Sequence, residues 1–200
     1  MANTCCNNLH FVGDKEDIEK LHNEFMKLNS SNDNTWVGNM IEAAGKNIDD
    51  YEDIRAFVAY VSDINNDEKG NFILNVDLES KWIPAYDFFR FLNEEYEDVL
   101  LLWYAEEPGC EIYETNDYNK EYFKSEYVVD SDEGCEYADN LQTAKEIIKS
   151  FFEDENMMDR FNENANTFKE LDELCDEYTN FAGETAGDKY LMIHKIRIYD

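Results

Sequence analysis

The sequence predicts an α+β fold, and three observations carry that expectation. Apolar residues switch between helical and strand spacing along the chain, with turn chemistry between the periodic segments. Thirteen Tyr, thirteen Phe and three Trp supply large side chains for a packed interior, despite a net charge of −30 over 200 residues. Only two Pro and eight Gly occur and no stretch reads as a linker, so a compact chain is expected.

Residues 7–13 (NNLHFVG) read as a short strand. Asp14 suits the cap of the helix that follows, with Asp17 at the third helical position and Ile18, Leu21, Phe25, Met26 and Leu28 on its apolar side. Residues 30–34 (SSNDN) end that unit. Trp36, Val37, Met40, Ile41 and Ala44 predict a helix that stops at Gly45, inside an insert at about 30–60. Residues 55–64 and 71–82 flank the turn-rich NNDEKG and predict a β-hairpin. Pro84 suits the first turn of a helix whose stripe is Ala85, Phe88, Phe89, Leu92 and Tyr96. Val99 to Ala105 is apolar without alternation, as a central strand covered on both faces should be.

Weaker strands are expected around EIYET and EYFKSEYVV. Leu141, Ala144, Ile148 and Phe151 then predict one amphipathic helix. Met158, Phe161, Ala165, Phe168, Leu171, Leu174, Cys175 and Tyr178 predict a longer one, and residues 190–199 a closing strand. The core order β-α-(insert)-β-β-α-β is the split βαβ, ferredoxin-like arrangement with an antiparallel sheet. The expected organisation is a core over 1–138 and a C-terminal extension over 139–200 packed on it.

Composition excludes several function classes. No apolar run of about eighteen residues occurs, so no membrane-spanning helix is expected. Residues 1–20 lack a basic n-region and an apolar core, so no signal peptide is expected. Five cysteines without framework spacing suit a reducing compartment, and the expected location is the cytoplasm. A folded chain of this length spans about 43 Å, and duplex DNA of that length carries roughly 25 charges. The protein therefore has a DNA-like charge for its size, which opposes binding to nucleic acid or an anionic membrane and favours a basic partner.

The charge is clustered. Sixteen acids lie between Glu94 and Asp139 against Lys120 and Lys124. Twelve lie between Glu153 and Asp188 against Arg160 and Lys169. Glu163, Glu170, Asp172, Glu173, Asp176 and Glu177 fall largely off the apolar stripe of the last predicted helix. That pattern is either a solvated face or a row of carboxylates for a basic groove.

Chemistry-bearing motifs are sparse. Only His10, His22 and His194 are present, and no paired Cys/His spacing points to zinc. The glycine motifs of phosphate loops, dinucleotide folds and nucleophile elbows are missing. Cys5–Cys6 is an adjacent pair, a strained geometry for a disulfide, and reads as small residues at the start of a buried strand. Residues 63–67 (DINND) and 130–134 (DSDEG) resemble pieces of a calcium loop but lack its Gly and its closing Glu. No catalytic, cofactor or metal residue is assigned.

Asn3-Thr4-Cys5-Cys6-Asn7 followed by Gly13-Asp14 resembles the N-x-C-x-N opening of a ferredoxin-like domain family of phage, plasmid and pathogenicity-island proteins. Ser80-Lys81-Trp82-Ile83-Pro84 resembles its W-x-P approach to the second helix, and Tyr104 to Gly109 its acidic strand-end turn. The likeness covers residues 1–130 or so. It departs at Thr4, where the family carries an aromatic, and at Ala85, where it carries a second proline. The resemblance implies a mobile-element accessory protein in a bacterial host cell, and the family has no settled biochemical activity to carry over. Trp82 and Pro84 are read as setting the strand-to-helix corner, and Asn3, Cys5 and Asn7 as bonding the edge of the sheet.

The expected function is that of an acidic interaction protein, not an enzyme, which occupies a basic, nucleic-acid-binding partner by DNA mimicry in an anti-defence or regulatory role. The acids expected to form its face are Glu94, Glu95, Glu97, Asp98, Glu106, Glu107, Glu111 and Glu114. One alternative is a divalent-metal-dependent small enzyme or ligand-binding domain. Another is a structural or assembly component of a phage particle.

Overall fold

The computed structural model describes residues 3–30, 35–152, 158–159, 161, 165–186 and 189–199. It is mixed α/β and divides into two compact units, Met1–Phe123 with Ile198–Asp200, and Lys124–Arg197.

The first unit opens with β1 (Thr4–Gly13) and α1 (Lys15–Ser30), which starts directly after Asp14 as its capping chemistry predicts. The predicted insert helix is a short α2 (Gly38–Ala43), and Gly45 ends it with φ 75°. Residues 31–34, within the expected SSNDN break, lie outside the described residues. The predicted hairpin pairs β2 (Ala56–Val61) with β4 (Phe72–Lys81), with a two-residue β3 (Asn65–Asn66) in its connection. The register shifts between Val58 and Tyr60, a bulge on β2.

α3 (Tyr86–Glu95) begins two residues after Pro84, so the proline precedes the cap rather than occupying the first turn. β5 (Leu100–Glu107) and β6 (Ile112–Thr115) follow. The sheet has seven strands, in the order β10-β6-β5-β1-β4-β2 with β3 also on β4; β10 is Arg197–Ile198. β1 pairs antiparallel with β4 over ten residues and with β5 over seven. β1 is therefore central, which corrects the expectation that Asn3, Cys5 and Asn7 bond a sheet edge.

Strand alternation gives each sheet face a different chemistry. Cys5, Asn7, Leu9 and Phe11 are buried on one face, with Leu74, Val76 and Leu78 of β4 beside them. α1 and α3 cover that face: the Phe25 ring lies 5.8 Å from Phe11 and 6.3 Å edge-on from Phe88. β5 is buried from Leu101 to Ala105, as its unbroken apolar run predicts.

Asn7 joins three elements. Its amide donates to Cys5 O and to Ser80 Oγ, both at 2.9 Å, while its Oδ1 accepts from Ala85 N at 3.1 Å at the start of α3. Ser80 Oγ donates in turn to Ile83 O at 2.7 Å. Trp82 turns the corner with φ 72°, and its N–H donates to Asn3 O. Trp82 thus stands at the expected corner, and Pro84 follows it directly ahead of the Ala85 cap.

The second unit holds β7 (Tyr127–Ser131), β8 (Gly134–Ala138) and β9 (Leu191–Lys195), in the order β8-β7-β9 and all antiparallel. α4 (Leu141–Phe151) is capped by Asn140, whose side chain accepts from Thr143 N at 3.0 Å. α5 (Phe168–Ala186) carries Leu171, Leu174 and Cys175 into a core with Val129, Ile148, Phe161 and Ile193. Met158, Phe161 and Ala165, expected on the same long helix, precede α5.

The division falls at 123/124 rather than 138/139, because β7 pairs with β8 and β9 and not with the first sheet. The closing strand is likewise two strands in two sheets, broken at Ile196. Of the calcium-like strings, residues 63–67 contain β3 and lead into a turn in which Asp67 accepts from Lys69 N and Asn71 N, and residues 130–134 join β7 to β8. Among the described residues no helix is long and apolar enough to cross a membrane.

Asn7→Ala removes the acceptor of a buried N–H and the amide's bonds to Cys5 O, Leu78 O and Ser80 Oγ. It should destabilise the first unit by about 2 kcal/mol, read as a lower midpoint in urea unfolding followed by tryptophan fluorescence.

Candidate functional site

The eight acids expected to form one face are distributed by strand geometry. Glu94, Glu95, Glu97 and Asp98 lie before the start of β5, and Glu106, Glu107 and Glu111 at or past its end. An eight-residue strand separates the groups by roughly 23 Å. Glu94 pairs with Arg90 at 3.5 Å and Glu95 with Lys46 at 3.7 Å. Glu106 and Glu107, adjacent in sequence, point to opposite faces. Glu107 is only 4% exposed, and Glu114, at 9%, accepts from Tyr86 Oη at 2.5 Å. These two are internal groups and do not belong to an exposed face. Glu111 is exposed, with φ 54° after a 3-10 turn (Pro108–Cys110). Glu163 lies outside the described residues; Glu170 accepts from Asn166 N and Thr167 N at the start of α5.

What the fold does bring together lies on the sheet face opposite α1 and α3. The register aligns Phe57, Glu79, Cys6, Glu106 and Tyr113 across β2, β4, β1, β5 and β6. The next row is Tyr60, Asp77, Asn8, Tyr104 and Thr115. Phe57 is 43% and Tyr60 55% exposed. Asn8 donates to Asp77 Oδ1 at 2.9 Å, and Tyr104 Oη donates to Glu106 Oε2 at 3.0 Å. Neither Asp77 nor Glu79 has a cationic partner among the described residues. Lys81, paired with Thr4, ends this face beyond Glu79.

A signal for this site was present in the sequence. Asn75-Val76-Asp77-Leu78-Glu79 alternates polar and apolar, which puts both acids on one side of a strand. Partner strands decide what stands beside them, and those are not a local property.

The 117–123 segment covers the other end of the same face. Asp117 is buried and accepts from the N–H groups of Glu121, Tyr122 and Phe123. The Tyr122 ring lies 3.9 Å from His10 and the Phe123 ring 6.0 Å from Tyr104. His10 Nδ1 meets Asn75 Oδ1 at 2.6 Å, while Nε2 is buried without a partner. Burial is the main influence on this imidazole and lowers its pKa, so the ring is neutral near pH 7.

The segments Asn3–Asn7, Ser80–Pro84 and Tyr104–Gly109 meet at one end of the sheet. Gly109 lies so close to Asn3 that an added Cβ would sit 2.7 Å from its Nδ2. The Cys110 thiol is hydrogen-bonded to Glu107, which raises its pKa. Glu107 Oε2 is buried without a hydrogen-bond partner. Cys5 is pushed up to about 12 by burial, against the opposing hydrogen bond from Ser80. Burial raises Cys6 as well, with Glu106, Glu79 and Asp77 acting in the same direction. Every cysteine is a free thiol, and the raised pKa values of these three disfavour the thiolate that nucleophilic attack needs; of the three, only Cys5 is buried. Among the described residues no group of three or more His, Cys, Asp or Glu side chains is arranged to hold a metal ion.

Comparison with protein-family models, with curated proteins and with solved structures finds no match to this chain.

The buried thiols give stability a pH dependence. Below pH 9.0 folded and unfolded chains both keep the Cys5 proton. Above it the unfolded chain releases the proton while the folded chain holds it up to about 12, so stability falls as pH rises through that window. Cys175, also pushed up to about 12 by burial, acts in the same sense. The urea midpoint should decline above about pH 9, with a shallower decline in the Cys5→Ala, Cys175→Ala double variant.

Proposed function

We propose that the chain is an acidic interaction protein that engages a basic, nucleic-acid-binding protein by presenting carboxylates where that partner receives phosphates. The observation that carries this reading is the charge imbalance. With 47 acids against 17 Lys and Arg, at least thirty carboxylates lack a one-to-one cationic match whatever the pairing. Such a surface repels nucleic acid and attracts cationic patches. A sheet face carrying Asp77, Glu79 and Glu106 gives part of that charge a rigid frame.

The finer fold reading belongs to the same proposal. The order β5-β1-β4-β2 has antiparallel pairing throughout, with α1 between β1 and β2 and α3 between β4 and β5. This arrangement supports a ferredoxin-like split βαβ core for the first unit. The meeting of the three motif segments at one end of the sheet supports the likeness to the phage and plasmid family, and with it an accessory role on a mobile element.

The test is capture from a bacterial lysate on the immobilised protein, followed by challenge with duplex DNA and a salt gradient. The expected result is a basic nucleic-acid-binding protein that DNA displaces, with affinity falling tenfold or more between about 50 and about 200 mM salt. A captured protein that ignores both DNA and salt would overturn the mimicry reading.

A further inference from the structure

The second face of the first sheet carries a pattern more specific than negative charge. Phe57 stands directly opposite Glu79, and Tyr60 directly opposite Asp77. Side chains paired in this way across two strands lie about 5 Å apart at Cβ. Each carboxylate therefore has an exposed aromatic ring beside it. Glu79 and Asp77 are two residues apart on β4, so the two pairs repeat at about 6.8 Å along the strand. Glu106, two strands from Glu79 in the same row, stands roughly 10 Å away across the sheet.

A carboxylate edge beside an aromatic face is the environment that a guanidinium group fills best. Its planar fork bonds the carboxylate in bidentate fashion while its face stacks on the ring. An ammonium is a compact, strongly hydrated charge that gains from the carboxylate but less from the ring. The repeat also matches the partner side. In an extended segment, alternate residues point the same way and are spaced about 6.8 Å apart.

We propose that the Phe57/Glu79 and Tyr60/Asp77 pairs form a reading site for an extended, arginine-bearing segment of a protein partner, with Glu106 extending the site across β1. This rests on the acidic-interaction reading above and names the chemistry it selects. Charge complementarity argues for this occupant: neither Asp77 nor Glu79 has a cation of its own chain among the described residues, and the flanking rings are exposed. A phosphate backbone is excluded from this face by the same carboxylates. Lys81 bounds the site at one end, so arginines align from Glu79 towards Asp77 and not beyond Lys81.

The experiment uses the full chain and two blocked peptides, one alternating arginine with threonine and the other lysine with threonine. Affinities are measured by calorimetry at low salt. Wild type should bind the arginine peptide about fivefold to tenfold more tightly than the lysine peptide. Phe57→Thr with Tyr60→Thr keeps the net charge and suits a strand. It should abolish that preference and leave the lysine affinity within about twofold. Asp77→Asn with Glu79→Gln should weaken both peptides tenfold or more, whereas Glu94→Gln with Glu97→Gln should change neither by more than about twofold. Unfolding midpoints check that each variant is folded.

A wild type without arginine preference, or a preference that survives the threonine variant, overturns the site while leaving the acidic-surface reading standing. Equal losses in the two carboxylate variants show diffuse attraction and overturn the site as well. If neither peptide binds at low salt, both the site and the broader reading fail.

Discussion

The first unit depends on β1 being held on both sides. Ten of its residues pair with β4 and seven with β5, so its period of two is imposed on the neighbouring strands. Odd-numbered residues from Cys5 to Phe11 enter the core under α1 and α3, and the even-numbered Cys6, Asn8 and His10 line the opposite face. A slip of one residue would exchange Leu9 and Phe11 for Asn8 and His10 in the core. Asn7 is the polar member of the buried set, and it is satisfied because it reaches Cys5, Ser80 and Ala85 at once. Its bonds tie the end of β4 and the start of α3 to β1, and so set where the W-x-P corner turns.

The total charge overstates the charge available to a partner. Several acids are structural acceptors: Asp87 takes the N–H groups of Glu52 and Asp53, Asp117 organises the 117–123 segment, and Asp130 receives the Tyr190 hydroxyl. Glu114 receives Tyr86, whose ring stacks 4.7 Å from Tyr199 next to β10. These carboxylates have exchanged water for donors inside the fold, which keeps the cost of placing them there low. The remaining acids repel one another across the surface. A dense aromatic core opposes that repulsion, with Phe11, Phe25, Phe88 and Phe91 buried together beneath the sheet.

Sequence by itself determined the local elements of the first unit. α1 follows Asp14, the hairpin brackets NNDEKG, and the unbroken run from Leu101 to Ala105 is a buried strand. Each of these is written in spacing, capping or turn chemistry within a few residues. Tertiary structure alone decided which strands are partners. Tyr127–Ser131 has the same strand pattern whichever sheet it joins, and it left the first sheet for β8 and β9. The closing residues were divided between two sheets for the same reason. The candidate face was decided at that level as well. A count of acids along the chain grouped Glu106 with Glu107, yet strand alternation sends them to opposite sides. Asp77 and Glu79, far away in sequence, share a face with Glu106 because β1 joins β4 to β5. Hydrophobic period specifies the face a residue takes, whereas its neighbours on that face come from backbone pairing between distant segments, which no local pattern encodes.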